Sequence, residues 1–331
     1  CDDFANTAIG HQALVASTGG RYNTALGKGA GVANTNGNYN TFIGALAGDS
    51  VVDGTYNVFV GYGAGGANTG TQNVYIGGNA GGAATGSDGN NVVIGADAGF
   101  GMTGAASSTL VGYHSGLNLT TGDNNVFVGK GAGTAEGGQS QVAITTGLRN
   151  TIVGTTSGVA AADKSDAIVI GYDVIGYDAL YATLGNQTNR GFFNINGSNT
   201  DWAASSDERL KENITTSIAG LSFINDLRPV TYNWKKAGEV SESMAEYRVG
   251  SEEPCLGHEY GTILHGFVAQ EVKTVIDNHS EIKDGFDMWS TGDSGTQSIA
   301  HGNLIPMLVK SIQELSTELD AAKARITTLE E

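Results

Sequence analysis

Ser206 and Lys211 stand five residues apart in the stretch "SSDERLKENI", residues 205–214. A serine hydroxyl is a weak nucleophile until a base takes its proton. A lysine amine can be that base only when burial or a nearby positive charge draws its pKa down. Arg209 is the nearest positive neighbour in sequence, although on a regular helix it would point elsewhere. The same stretch also fits plain helix chemistry. Ser205 and Glu208 have the spacing of a capping box, in which each side chain satisfies an orphan backbone N–H, and Arg209 and Lys211 are then solvated charges. A reactive Ser–Lys pair and a helix start are both open on these residues alone.

The pair sits on a compositional seam. Residues 1–205 hold 41 of the 51 glycines, no proline, 13 acidic and 6 basic residues, whereas residues 206–331 hold 10 glycines, all 3 prolines, 21 acidic and 11 basic residues. Such a shift marks a domain boundary. The net charge of −17 argues against a nucleic-acid partner, because counterion release needs clustered Lys and Arg. The only cysteines, Cys1 and Cys255, are too few and too distant for a disulfide framework. No apolar run approaches the ~20 residues of a membrane span. The absence of an initiating Met and of a signal peptide leads us to expect a mature or fragment chain.

Before the seam the chain repeats. "NTAIG", "NTALG", "NTFIG", "NVFVG", "NVYIG", "NVVIG", "STLVG", "NVFVG", "NTIVG" and "AIVIG" close on Gly10, Gly27, Gly44, Gly61, Gly77, Gly95, Gly112, Gly129, Gly154 and Gly171. Most steps are 17 residues; one of 25 carries an insertion at 136–147. In eight units a second glycine follows four residues later. Each unit reads as a short strand, a Gly corner and a polar turn. A lone strand of that size buries too little, so stacking of units must supply the core. Missing proline leaves every N–H free for the ladder, and the Asn opening most strands reads as a ladder or turn amide. The pattern predicts a mainly β solenoid or β-roll shaft over 1–171 and a β-rich connector over 172–205. The repeat resembles the Gly-rich units of trimeric bacterial adhesin heads and of phage fibres, which implies a trimeric shaft.

After the seam, Leu210, Ile214, Ile218, Leu221 and Ile224 fall at helical spacing and predict a helix over 207–227. A strand over 228–236 and a strand turning into a helix over 262–276 follow. From Asn303, Ile305, Ile312, Leu319 and Ile326 repeat at a and Leu308, Leu315, Ala322 and Leu329 at d, predicting a coiled-coil helix over 303–331. The whole of 206–331 reads as an α+β domain ending in that helix.

"SDERLKENI", "LRPVTYNWK", "HGFVAQEV" and "GNLIPMLVKSIQELSTEL" occur in the order found in the C-terminal intramolecular chaperone of phage tailspikes, tail fibres and endosialidases, and residues 206–331 resemble that family. The resemblance implies a homotrimer, a domain that assembles the shaft, and a single cut in cis just before the Ser of the motif. Ser206 would be the nucleophile, Lys211 the base and Ser205–Ser206 the scissile bond. It implies a virion fibre that meets other tail proteins and a host-surface receptor, glycan among the candidates. A bacterial surface adhesin using the same assembly domain is the alternative.

Other chemistries find little footing. The six histidines show no HExxH-type spacing, so neither a metal nor a cofactor is expected. "GKGAG" lacks the ending of a P-loop and recurs with the repeat. Glu136 is the only Glu before residue 206, so a carboxylate pair for glycoside hydrolysis cannot be assigned. Tyr62 and Tyr113 are aromatic positions a sugar could contact, and nothing in the pattern selects them.

Overall fold

Three residues of each repeat are extended and the rest turn back on themselves, because Asn on one side and Gly on the other set the corners. A computed structural model of the chain describes residues 5–83, 85–86, 89–136, 141–195, 202–203, 206–256, 259–292 and 295–330. The chain divides into two compact units, Cys1–Ser206 and Asp207–Glu331.

In the first unit, strands from β1 (Thr7–Ile9) to β10 (Ile168–Tyr172) pair in parallel, each with its neighbour one repeat away. Thr41 faces Val58, Phe42 faces Phe59, and Ile43 faces Val60. β11 (Tyr181–Asn186) adds one more parallel strand, and β12 (Arg190–Asn194) and β13 (Trp202–Ala203) close the sheet antiparallel. The connector thus extends the solenoid sheet instead of starting another.

Alternation along a strand puts only its middle residue inside. Ala25, Phe42, Phe59, Tyr75, Val93, Leu110, Phe127, Ile152 and Val169 are fully buried and stack one per rung; the Phe59 and Tyr75 rings lie 4.9 Å apart. Alanines such as Ala47, Ala64 and Ala80 fill the opposite wall. Every chain therefore encloses its own core.

The repeated residues hold the rungs in register. Asn40 Oδ1 accepts from the Asn57 N–H at 2.9 Å while its Nδ2 donates to the Gly54 carbonyl at 2.8 Å. Asn23, Asn57 and Asn91 make the same pair of bonds, and Ser108 Oγ stands in where Asn is missing. Buried backbone groups left by the corners are satisfied in this way. Gly61 needs to be glycine for two reasons: its φ is +135°, and a Cβ would run into the Gly77 carbonyl of the next rung. Gly65, four residues on, has φ +61° and lies against the Phe59 ring.

The second unit is built differently. α1 (Leu221–Asp226), α2 (Ala269–Asn278) and α3 (Ile305–Glu330) accompany two small antiparallel pairs. These are β14 (Val230–Tyr232) with β15 (Leu264–Gly266), and β16 (Trp289–Thr291) with β17 (Gln297–Ile299). Its core gathers Phe223, Val272, Ile276, Met288, Leu304 and Met307.

The helix expected over 207–227 is not formed. Only a 3₁₀ turn at Glu208–Leu210 and the six-residue α1 are helical. Asn213 adopts a left-handed φ of +55°, and Thr215 and Thr216 are β-branched, which disfavours a continuous helix. Leu210, Ile214 and Ile218 consequently stay exposed.

A candidate assembly and cleavage site

The 3₁₀ turn that carries the Ser–Lys motif is capped by Asp207, whose carboxylate accepts from the Arg209 N–H at 2.9 Å. Ser205, expected as the cap, lies outside the described residues. Asp207 also grips the Arg209 guanidinium through two bonds, 3.0 Å from Nε and 2.6 Å from Nη2. Arg209 beside it holds the Asp207 carboxyl below its usual range. The positive neighbour that spacing offered to Lys211 is thus engaged by Asp207.

Ser206 and Lys211 are both exposed. Ser206 ends the first compact unit; Lys211 follows the turn in the second, extended at φ −121° and ψ 148°, with its N–H donating to the Glu208 carbonyl at 3.0 Å. A lysine base needs desolvation. In a lone chain Lys211 does not have it.

What holds the second unit together was invisible in the motif. α1 starts at Gly220, which supplies no side-chain cap. Glu314 on α3 supplies it instead, its Oε2 accepting from the Leu221 N–H at 2.7 Å. That bond draws the Glu314 carboxyl below its usual range. Gly220 leaves the necessary room, since a Cβ there would collide with the Glu314 carboxylate. At the other end of α1, buried His279 bridges Glu281 through Nδ1 and Asp226 through Nε2, each at 2.9 Å. The two carboxylates push the imidazole pKa up, Glu281 first. Two of these bonds have no local sequence signal, because Leu221 and Glu314 are 93 positions apart and Asp226 and His279 are 53 apart.

α3 packs inside its own unit only near its start. Met307 and Ser311 are buried, while every a and d residue of the heptad run is exposed: Ile312 at 66 %, Leu319 at 54 % and Leu329 at 85 %. A heptad seam left open on a helix of 26 residues is apolar surface of the kind that helices bury against one another. A second apolar line lies on the sheet of the first unit. From β1 to β10 the third residue of the strand faces outward, giving a column that includes Ile9, Leu26, Ile43, Ile76, Ile94 and Ile170, all exposed.

Among the described residues no three His, Cys, Asp or Glu side chains lie close enough to hold a metal ion, and no helix is long and apolar enough to cross a membrane.

Fold and surface together define a class: a self-contained β-solenoid followed by a small α+β unit with an open helical seam. Residues 206–281 match the family model described as chaperone of endosialidase. The match begins at Ser206, marks this segment as a chaperone-type domain and stops before α3. No curated protein and no solved structure matches the chain.

Proposed function

We propose that the chain is the subunit of a homotrimeric fibre of a phage virion, serving host attachment. On this reading, residues 206–331 assemble three copies and then detach by a cut at Ser205–Ser206. The observation that carries it is the exposed α3 seam in the same unit as a segment that matches the chaperone of endosialidase model. Three seams brought together would bury side chains that a single chain leaves in water, at about 25 cal/mol per Å² of apolar surface. The outward column on the shaft gives three solenoids a matching apolar face.

Assembly through α3 would raise the effective concentration of three shafts held near one another. Such help matters because the exposed column on each shaft, Ile43 and Ile76 among it, would otherwise aggregate before three shafts meet in register. Cleavage afterwards removes the assembling domain and leaves the shaft kinetically trapped.

The proposed cut uses two side chains. Lys211 accepts the Ser206 hydroxyl proton as Oγ attacks the Ser205 carbonyl carbon through a five-membered ring. The C–N bond breaks, the Ser206 nitrogen takes that proton, and an ester joins Ser205 to Ser206 Oγ. Water then opens the ester, leaving a carboxylate on Ser205 and restoring the hydroxyl. Lys211 is exposed in one chain, so neighbouring copies must supply its desolvation. Assembly would therefore switch the chemistry on.

Intact-mass analysis of freshly expressed protein tests this. Wild type is expected to yield pieces ending at Ser205 and starting at Ser206, whereas Ser206→Ala and Lys211→Ala each stay whole yet still form trimers. A cut that survives both substitutions would assign it to a foreign protease at an exposed linker.

A further inference from the structure

The shaft's side chains follow columns, one residue per rung, and two columns are interrupted together. Directly after the strand-closing glycines, Ala45, Tyr62, Gly78 and Ala96 succeed one another, linked by the bonds Gly63 N–H to Ala45 O, Asn79 N–H to Tyr62 O and Asp97 N–H to Gly78 O. Tyr62 is 61 % exposed. Its column neighbours are an alanine and a glycine, and a Cβ at Gly78 would meet nothing within 4 Å. The contrast is with Tyr22, Tyr39 and Tyr56, which are as exposed but lie face to face at 4.9–5.0 Å and cover one another.

The second column runs Asp49, Gly66, Gly82, Phe100. Two glycines without side chains separate a carboxylate from an exposed ring, across three rung steps of ~4.8 Å, or ~14 Å. The result is an open cleft of about 290 Å³ with Tyr62 and Phe100 on its walls and Asp49, Ser50 and Asn79 supplying polar atoms. Burial pushes the Asp49 carboxyl up, against a hydrogen bond from Ser50. Asn79 is held by Asp97, its Nδ2 donating at 3.1 Å.

We propose that this cleft between Asp49 and Phe100 is a saccharide-binding site for uncharged or amine-bearing sugars, formed where glycines 66, 78 and 82 leave Tyr62 and Phe100 uncovered. The inference rests on the shaft being an exposed attachment fibre. An aromatic face suits the C–H face of a pyranose, and a carboxylate on one rung with an amide two rungs on suits well-separated hydroxyls, the usual division of apolar wall and few placed polar groups. No cation lines the cleft, and Asp49 and nearby Asp97 repel sialic and uronic acids. The site lies on the turns after the strands, away from the outward strand column.

Binding of the full-length protein to immobilised neutral, N-acetylated, amine-bearing, sialylated and uronate-containing oligosaccharides tests the assignment. Wild type is expected to retain neutral or amine-bearing probes. Tyr62→Ala should weaken the best of them by about tenfold or more. Gly78→Leu, which covers the ring without backbone strain, should do the same, and Tyr22→Ala should change nothing. Retention of none of the probes, preference for the acidic ones, or equal binding by Tyr62→Ala and Gly78→Leu at unchanged melting temperature would overturn it. Particle mass on the same samples separates the two readings. Trimers that bind no sugar refute the cleft alone, and monomers that bind through Tyr62 refute the assembly alone.

Discussion

The solenoid and the C-terminal unit treat apolar surface in opposite ways. Each rung of the solenoid turns one strand residue inward, so rings such as Phe42, Phe59 and Tyr75 are fully buried inside a single chain. The C-terminal unit buries a small core around Phe223 and leaves Ile214, Ile218 and the α3 seam in water. Stability in the first is summed rung by rung with neighbours of the same kind. The second folds around its own small core and leaves the α3 seam as apolar surface that the unit itself does not cover. On the proposed reading, that difference suits a durable shaft and an assembling domain that is cut away.

The sharpest way to break the shaft side of this contrast is Gly61→Val. A side chain there meets a φ of +135° and the Gly77 carbonyl together, which should cost at least about 3 kcal/mol. The shaft's melting transition should fall steeply while that of the C-terminal unit stays put. An unchanged shaft transition would mean that the stacked glycines do not set the rung spacing.

The C-terminal side is probed by Ile312→Asp with Leu319→Asp. Both residues are exposed in one chain, so its own fold should move by no more than about 0.5 kcal/mol, whereas the trimer fraction in mass photometry should collapse. Equal trimer yield in the double variant would show that the seam is not the assembly surface.

A smaller effect separates the two units by pH. Glu281 and Asp226 raise the His279 pKa above its ordinary 6.5, so the folded unit favours the protonated ring. The stability it contributes is complete below about pH 6.5 and is lost as pH rises through the raised value. In thermal scans from pH 6 to 9 the C-terminal transition should fall as pH rises, and His279→Gln should flatten that slope. A slope that persists in His279→Gln would place its origin elsewhere.

Much of the shaft was legible because the same chemistry recurs every 17 residues: an Asn for the ladder, a β-branched or aromatic centre, and a Gly where the next rung crosses. Phe59 and Asn57 could be placed from spacing alone. The segment 207–227 was misread because apolar spacing says which residues seek cover, not what covers them; Ile214 and Ile218 stay largely in water. The Ser206–Lys211 motif was visible as residue types, but the cap at Asp207 and its hold on Arg209 came only with the backbone. Glu314 capping α1 and the cleft beside Tyr62 were hidden for a simpler reason. Each depends on residues brought together across rungs or across ninety positions of chain.

Native mass spectrometry of the freshly expressed wild-type chain tests the central claim most directly, because it counts copies and reads the ends of each piece at once. A particle of three shafts is expected, each ending at Ser205, with the pieces that begin at Ser206 released or still attached through their helices. A particle of one uncut chain would contradict both the assembling role of α3 and the chemistry assigned to Ser206 and Lys211.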